Sequence, residues 1–277
     1  MTHAERTLQG ADVVAAALGQ FGAKPTLSFS IALYPSSRAS PGTCHSAGST
    51  ASSASSPEPI DSSERRSAVI DNWPAIRAAS MAEAARLGYA TNPTLPLLDV
   101  ADTPRAVADI ISRMLCLDAV LAAAYGYPKS RALEWLMSES LVAALTTRER
   151  AFLANAADDA DIFQIQADAM FALAWVGSLV DNFTFDRECP NTLVSSFPDL
   201  RKMETTIGFA HKVVLRPVSQ IAAQNDLAYC LNWAIIDAAI RGGPVPGTLH
   251  PGSIVERRRA IQWVMSNDPW DDVSLDT

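Results

Sequence analysis

Several signatures that carry familiar chemistry are missing from this 277-residue chain. It contains no GxSxG elbow, no GxGxxG turn and no GxxxxGK(S/T) loop, which excludes the usual nucleophile and phosphate cradles. Histidine is scarce. His3 and His45 lie in a low-complexity segment and His211 and His250 stand alone, so neither a histidine metal centre nor a Ser-His-Asp constellation can be assembled by spacing. The cysteines Cys44, Cys116, Cys189 and Cys230 are far apart and form no CxxC pair. They read as free thiols, three of them in apolar or helix-like surroundings, and that favours a cytoplasmic setting. No metal and no cofactor is expected.

Positive charge is also short. Lys and Arg total 22 against 30 Asp and Glu, giving a net charge of −8, which opposes attraction to nucleic acid or to anionic lipid. Long apolar runs are absent too: spanning a bilayer takes about 18 to 20 such residues, and the strongest candidate, Ala167 to Val180, is interrupted by Asp168. The apolar stretch Val13 to Leu18 follows Glu5 and Asp12 with only Arg6 for positive charge, a poor fit to a secretory signal. Strand-like alternation is rare after residue 61, and no internal repeat is found.

What is present is a hydrophobic content of 48%, ample for a core, distributed unevenly. Ser36 to Ser63 is dominated by Ser, Ala, Pro and Gly, a composition that cannot bury enough surface to offset the entropy of ordering. Residues 1–60 are therefore expected to form a largely disordered arm, with a short helix over Gly10 to Gly22 and a short strand over Thr26 to Leu33. Residues 61–277 are expected to form a single all-α domain of about seven to nine helices. One helix fits Ser63 to Asn72 and a second Pro74 to Leu87, stopped by Gly88. NPTLP, Asn92 to Pro96, is a loop. Thr103 and Pro104 read as cap and first turn of a helix whose stripe is Val107, Ile110, Met114, Leu117 and Leu121, closed by Gly126. Ser130 to Val142 is a further helix, and Thr146-x-x-Glu149 a capping box. Asp161 to Val180, apolar around its whole circumference, reads as one interior helix. Another is expected to start after Asn225 and Asp226 and to end at Gly242 and Gly243. The last is opened by a capping box at Ser253-x-x-Glu256 and runs to about Asn267.

The closing octet WDDVSLDT, Trp270 to Thr277, is unusual for a terminus that would ordinarily fray. Arg257 and Arg258 fall in the middle of the buried stripe Ile254, Ile261, Val264 and Met265, and a guanidinium there needs a partner. The tail is therefore expected to fold back, with Trp270 on the core and one or more of Asp271, Asp272 and Asp276 paired with Arg257 or Arg258.

The runs DLAYCLNWAIIDA (Asp226 to Ala238), VERRRAIQWV (Val255 to Val264) and WDDVSLDT are joined upstream by RAAS, NPTLP, LTTRERAFL, the helix around Asp168 and Trp175, and LRP. Together, over about residues 77–277, they resemble the uncharacterised, largely bacterial family catalogued as domain of unknown function 4272. The resemblance implies the helical fold and no assigned activity. The family pattern commonly carries a histidine where this chain has Asn232, often another where it has Arg258, and a glutamate where it has Asp168.

The candidate site is the cluster Asp168, Asp226, Trp233, Glu256, Arg257, Arg258, Trp263, Trp270, Asp271, Asp272 and Asp276. It admits a structural reading as buried ion pairs, a hard-cation site on Asp271, Asp272 and Asp276, and a general acid and base built from Asp168, Glu256 and the tail carboxylates. Trp175, Trp233, Trp263 and Trp270 lie within helical stripes or on the tail, and core packing accounts for them. The expected role is a protein-interaction or regulatory module for a partner with a basic surface, and the alternative is an enzyme of unrecognised type using the same cluster.

Overall fold

The computed structural model describes residues 73–98, 103–157 and 160–277. The arm, the helix expected over Ser63 to Asn72, and Cys44 lie outside them. Among the described residues the secondary structure is helical, without strands. The principal helices are α1 (Trp73–Arg86), α2 (Val107–Ala124), α3 (Lys129–Ser138), α4 (Thr147–Leu153), α5 (Ala160–Gln164), α6 (Ala167–Val176), α7 (Ile207–Ala210), α8 (Val218–Ile240) and α9 (Pro251–Val264), joined by 3₁₀ turns. Helix α9 lies at the centre, packed on α6 and α8; α1 covers α8, and α2 packs on α6, α3 and α5. No helix among the described residues is long and apolar enough to cross a membrane.

Several boundaries differ from expectation, most of them because a distant partner outcompetes a local cap. Helix α2 begins at Val107, not at Pro104, because Arg105 is drawn away: its amide donates to Val264 O at 2.9 Å and its side chain to Trp263 O at 2.6 Å. Val107, the first residue of the expected stripe, is consequently exposed, while Ile110, Met114, Leu117 and Leu121 are buried. The expected helix Asp161 to Val180 is two, broken at Ile165 and Gln166 and ended at Val176. Gln164 Nε2 closes the first piece by donating to Ala124 O at the end of α2. The second stops at a left-handed turn on Ser178, φ +55°, where Leu179 N donates back to Ala174 O, and the freed carbonyls of Val176 and Gly177 accept from Arg216 N and Val214 N.

Helix α8 starts two turns early, at Val218, so Asn225 and Asp226 are interior residues rather than caps. Asn225 Nδ2 donates to Gln262 Oε1 of α9 at 2.8 Å, and Asp226 is claimed by Arg77. In α9 the capping box on Ser253 is not formed; His250 Nδ1 instead accepts from Gly252 N at 3.1 Å, and the helix ends at Val264. The Thr146 and Glu149 box is formed as expected, and Glu149 additionally pairs with Arg113. Cys116 and Cys230 are buried free thiols, and Cys189 is free and half-buried.

One glycine is required by a close approach. Gly247 has φ +78°, and a Cβ there would lie 2.2 Å from Tyr89 Oη, whose buried phenol is hemmed against this turn. Gly247→Ala combines left-handed strain with overlap and should destabilise the domain by about 2 to 4 kcal/mol in chemical denaturation.

Asp118 of α2 is buried, and its Oδ2 has no hydrogen-bond partner. Burial, reinforced by the Asp199 carboxylate, pushes its pKa well above the ordinary 3.8. A carboxyl raised in the folded state contributes stability that is complete below its unfolded pKa and is lost as pH rises through the folded one. The stability difference between Asp118→Asn and the parent chain should therefore move in favour of the variant as pH rises above about 4, measured by denaturant midpoints from pH 4 to 8. A difference independent of pH would refute the assignment.

Candidate functional site

The sequence cluster divides into two groups in space. The first is interior. Arg257, fully buried at the middle of α9, donates from Nε and Nη2 to Asp168 Oδ1 of α6 at 2.7 and 2.5 Å, and from Nη2 to Arg187 O at 2.9 Å. Its Nη1 reaches Thr184 O at 2.5 Å, and its plane lies over Phe171, 5.2 Å from the ring centre. The expected pairing of Arg257 with a tail aspartate is thus corrected: the break between α5 and α6 puts Asp168 opposite Arg257, closer than any residue of the tail.

Arg258 does meet the tail, but through its main chain. Nη1 donates to Leu275 O at 2.6 Å and Nη2 to Asp276 O at 2.8 Å, and the guanidinium lies 5.1 Å from the Tyr229 ring. Asn232 Nδ2 approaches the same Leu275 carbonyl at 3.5 Å. Burial drives Arg258 down to about 10, opposed by Tyr229 and Asp276, and its Nε has no partner. Trp270 is buried as expected, and Trp263 meets it edge-on at 5.4 Å. Asp271, Asp272 and Asp276 are exposed, and Asp276 Oδ2 accepts only from Ser274 Oγ, which corrects the expectation that their carboxylates hold the arginines.

Asp226 also serves an arginine, one not anticipated. Arg77 of α1 binds Asp226 with Nε and Nη2, at 2.8 Å for the shortest contact, and Leu95 O and Pro96 O with its remaining donors. Burial works against its charge, but the Asp226 carboxylate outweighs this and holds Arg77 above its usual range. Glu256 is buried with Oε1 receiving Arg259 Nε at 3.2 Å and Oε2 unpartnered; burial raises its pKa, with Arg259 opposing. Trp233 is half-buried against the core.

The second group borders an open cleft of about 610 Å³ between the start of α2, the start of α4 and the end of α9. Trp263 and Trp270 line it with Asp271, Asp272 and Asp109 of α2, and the three aspartates are exposed. Asp168, Glu256, Arg257 and Arg258 do not border it. Three arginines not foreseen also face this cleft. Arg105 donates to Trp263 O and Asp268 O and stacks 4.4 Å over Trp263; Arg113 pairs with Glu149 5.0 Å over Trp270; Arg150 donates to Leu145 O at 2.7 Å. Arg113 was legible in principle, because it interrupts the stripe between Ile110 and Met114 as Arg257 interrupts that of α9. Arg105 sits in a loop and gave no periodic signal.

Among the described residues no group of three His, Cys, Asp or Glu is arranged to hold a metal ion. What the fold and the cleft define is an all-α domain whose internal charges are spent on its own architecture and whose remaining charges ring one surface groove. The family model for a domain of unknown function (DUF4272) matches residues 77–273, and the chain belongs to that family. No curated protein and no solved structure matches it.

Removing Asp168 strands a buried guanidinium. Asp168→Ala should cost about 3 to 5 kcal/mol in denaturant unfolding, whereas Asp276→Ala, which leaves the clamped carbonyls in place and removes only a longer-range charge near Arg258, should cost clearly less. Comparable losses for both would restore a side-chain role for the tail.

Proposed function

We propose that the domain is a protein-interaction module whose cleft takes a partner segment carrying basic side chains. The supporting observation is an imbalance of commitment rather than of number. The guanidiniums in the cleft wall are occupied: Arg105 by two carbonyls, Arg113 by Glu149, Arg150 by Ala143 O and Leu145 O. Among the described residues the carboxylates of Asp109, Asp271 and Asp272 are exposed and form no ion pair, although Asp109 lies near enough to Arg105 to favour its charge. An arriving ligand therefore meets exposed carboxylates at the border of a cleft whose tryptophans are already covered by Arg105 and Arg113, an arrangement that complements Lys or Arg side chains. The net charge of −8 acts in the same direction at longer range. The free thiols Cys116, Cys189 and Cys230 are consistent with a reducing cytoplasm, and the family pattern with a bacterial source.

An acid-base enzyme built on the original cluster draws less support, because Asp168 and Glu256 lie away from the cleft and Asp168 is held by Arg257.

A fluorescein-labelled hexa-arginine peptide provides the test. Each exposed pair contributes modestly, so the triple variant Asp109→Asn, Asp271→Asn, Asp272→Asn should weaken binding about fivefold to tenfold by anisotropy. The charge-matched variant Glu134→Gln, Asp161→Asn, Asp181→Asn should leave it unchanged. Equal weakening by both would reduce the effect to net charge and remove the cleft from the account.

A further inference from the structure

Arg113 borders the cleft with its side chain only 3% exposed, and its hydrogen bonding falls short of its capacity. A guanidinium carries five N–H donors. Among the described residues this one has a single acceptor, Glu149 Oε1, reached by Nη2. Its Nε is buried without a partner; Nη1 has no acceptor either, and unlike Nε it is not sealed from solvent. Arg105 and Arg150 differ, since each is bonded to two carbonyls and neither is left with a buried, unmet donor.

The surroundings of Arg113 do not supply the missing acceptor. Trp270 lies against the guanidinium, 5.0 Å away at the ring centre, and the other oxygen of Glu149 takes Thr146 N at 2.8 Å. Thr146 Oγ1, also on the cleft, accepts from Glu149 N at 3.3 Å, which leaves its own proton to donate. Unmet donors in a protein wall cost free energy, and native structures seldom keep them unless a ligand, ion or water meets them. Donors from Arg113 and Thr146 thus share one cleft with the exposed carboxylates of Asp271 and Asp272. Trp270 links the two sets, because Arg113 covers it and it directly precedes both aspartates.

We propose that the basic segment taken by the cleft is a chain end, whose terminal carboxylate binds Arg113 while its last basic side chains meet Asp271 and Asp272. This rests on the preceding reading of the cleft and deepens it by naming the terminus that enters. The guanidinium then serves two carboxylates, Glu149 from within the fold and the ligand's from the cleft. Charge-assisted bonds of this kind are roughly twice as strong as neutral ones. A terminus suits a recessed guanidinium better than an acidic side chain does. A chain that continued past Arg113 would bring further main-chain amides against the wall, each needing a partner, whereas a chain that stops brings none. A terminal Arg or Lys also carries its carboxylate and its cation on a single residue, matching donors and carboxylates that meet at one tryptophan.

The test compares hexa-arginine, labelled with fluorescein at its N-terminus, as the free acid and as the C-terminal amide, by anisotropy on the full chain. Amidation makes the peptide more positive, so attraction to an acidic surface alone ranks the amide as the tighter ligand. A site for the terminal carboxylate reverses that order, and the free acid should bind about fivefold more tightly. An amidated hexa-arginine with one glutamate inserted at its centre has the net charge of the free acid and should bind no more tightly than the amide. In Arg113→Lys, which keeps a cation beside Glu149 but loses the fork, the acid should lose its advantage. Arg216→Lys, the same change at an arginine stacked on Trp175, should retain it. Asp271→Asn with Asp272→Asn should weaken both peptides and leave the acid the tighter. Circular dichroism checks each variant, and if Arg113→Lys does not fold, the three peptides on the parent chain decide. Equal binding of acid and amide, or tighter binding of the amide, overturns the carboxylate site while the cleft reading stands. A glutamate peptide as tight as the free acid, or a preference lost equally in Arg216→Lys, overturns it as well. If no peptide binds the parent, the cleft reading itself fails and the carboxylate site with it.

Discussion

The structure depends on one repeated interaction, an arginine that brackets two main-chain carbonyls in a loop or at the junction of a helix end and the segment beyond it. Arg77 holds Leu95 O and Pro96 O, Arg105 Trp263 O and Asp268 O, Arg150 Ala143 O and Leu145 O, and Arg216 Trp175 O and Val180 O. Arg257 holds Thr184 O and Arg187 O, and Arg258 Leu275 O and Asp276 O. Loops otherwise carry carbonyls with no ladder to join, and a buried one without a donor costs about as much as a lost hydrogen bond. The planar guanidinium is suited to this because its donors are fixed in a fork and its faces can still lie on aromatic rings. Arg216 does so on Trp175 and Arg105 on Trp263, while Arg77 and Arg258 both lie against Tyr229. Lysine, a point charge with no flat face, would satisfy neither demand.

This use of arginine also decides the character of the surface. Basic side chains that would otherwise balance the exposed acids are drawn inward or pinned to loops, so among the described residues Asp271 and Asp272 form no ion pair. The acidity of the groove and the order of the loops have a common origin. It follows that the site could not be predicted by counting charges near it, since its walls contain arginines and aspartates in similar number and only their bonding distinguishes them.

How much was legible in the sequence follows from the same chemistry. Periodicity located the stripe of α2, the interior helix around Asp168 and the central helix α8, because apolar spacing records which face is buried. The two arginines in the stripe of α9 correctly announced that the tail must return to the core. What they did not announce was the acceptor. A carboxylate is visible in a sequence and a carbonyl is not, since every residue has one, so the aspartates of the tail drew an assignment that belongs to the backbone of Leu275 and Asp276. The capping errors have a related cause: Asn225, Asp226 and Ser253 look like caps by residue type, and only the fold reveals that Gln262 and Arg77 engage the first two while His250 supplies the cap of α9.

A staple whose acceptor is a neutral carbonyl inside the protein responds very differently to its surroundings from an ion pair at a rim. Dissolved salt screens charges that face water and reaches buried dipoles weakly. The loops of this domain are thereby insulated from changes in ionic strength that would weaken exposed pairs such as Arg131 with Glu134, so salt would erode the surface charge pattern well before it loosened the framework.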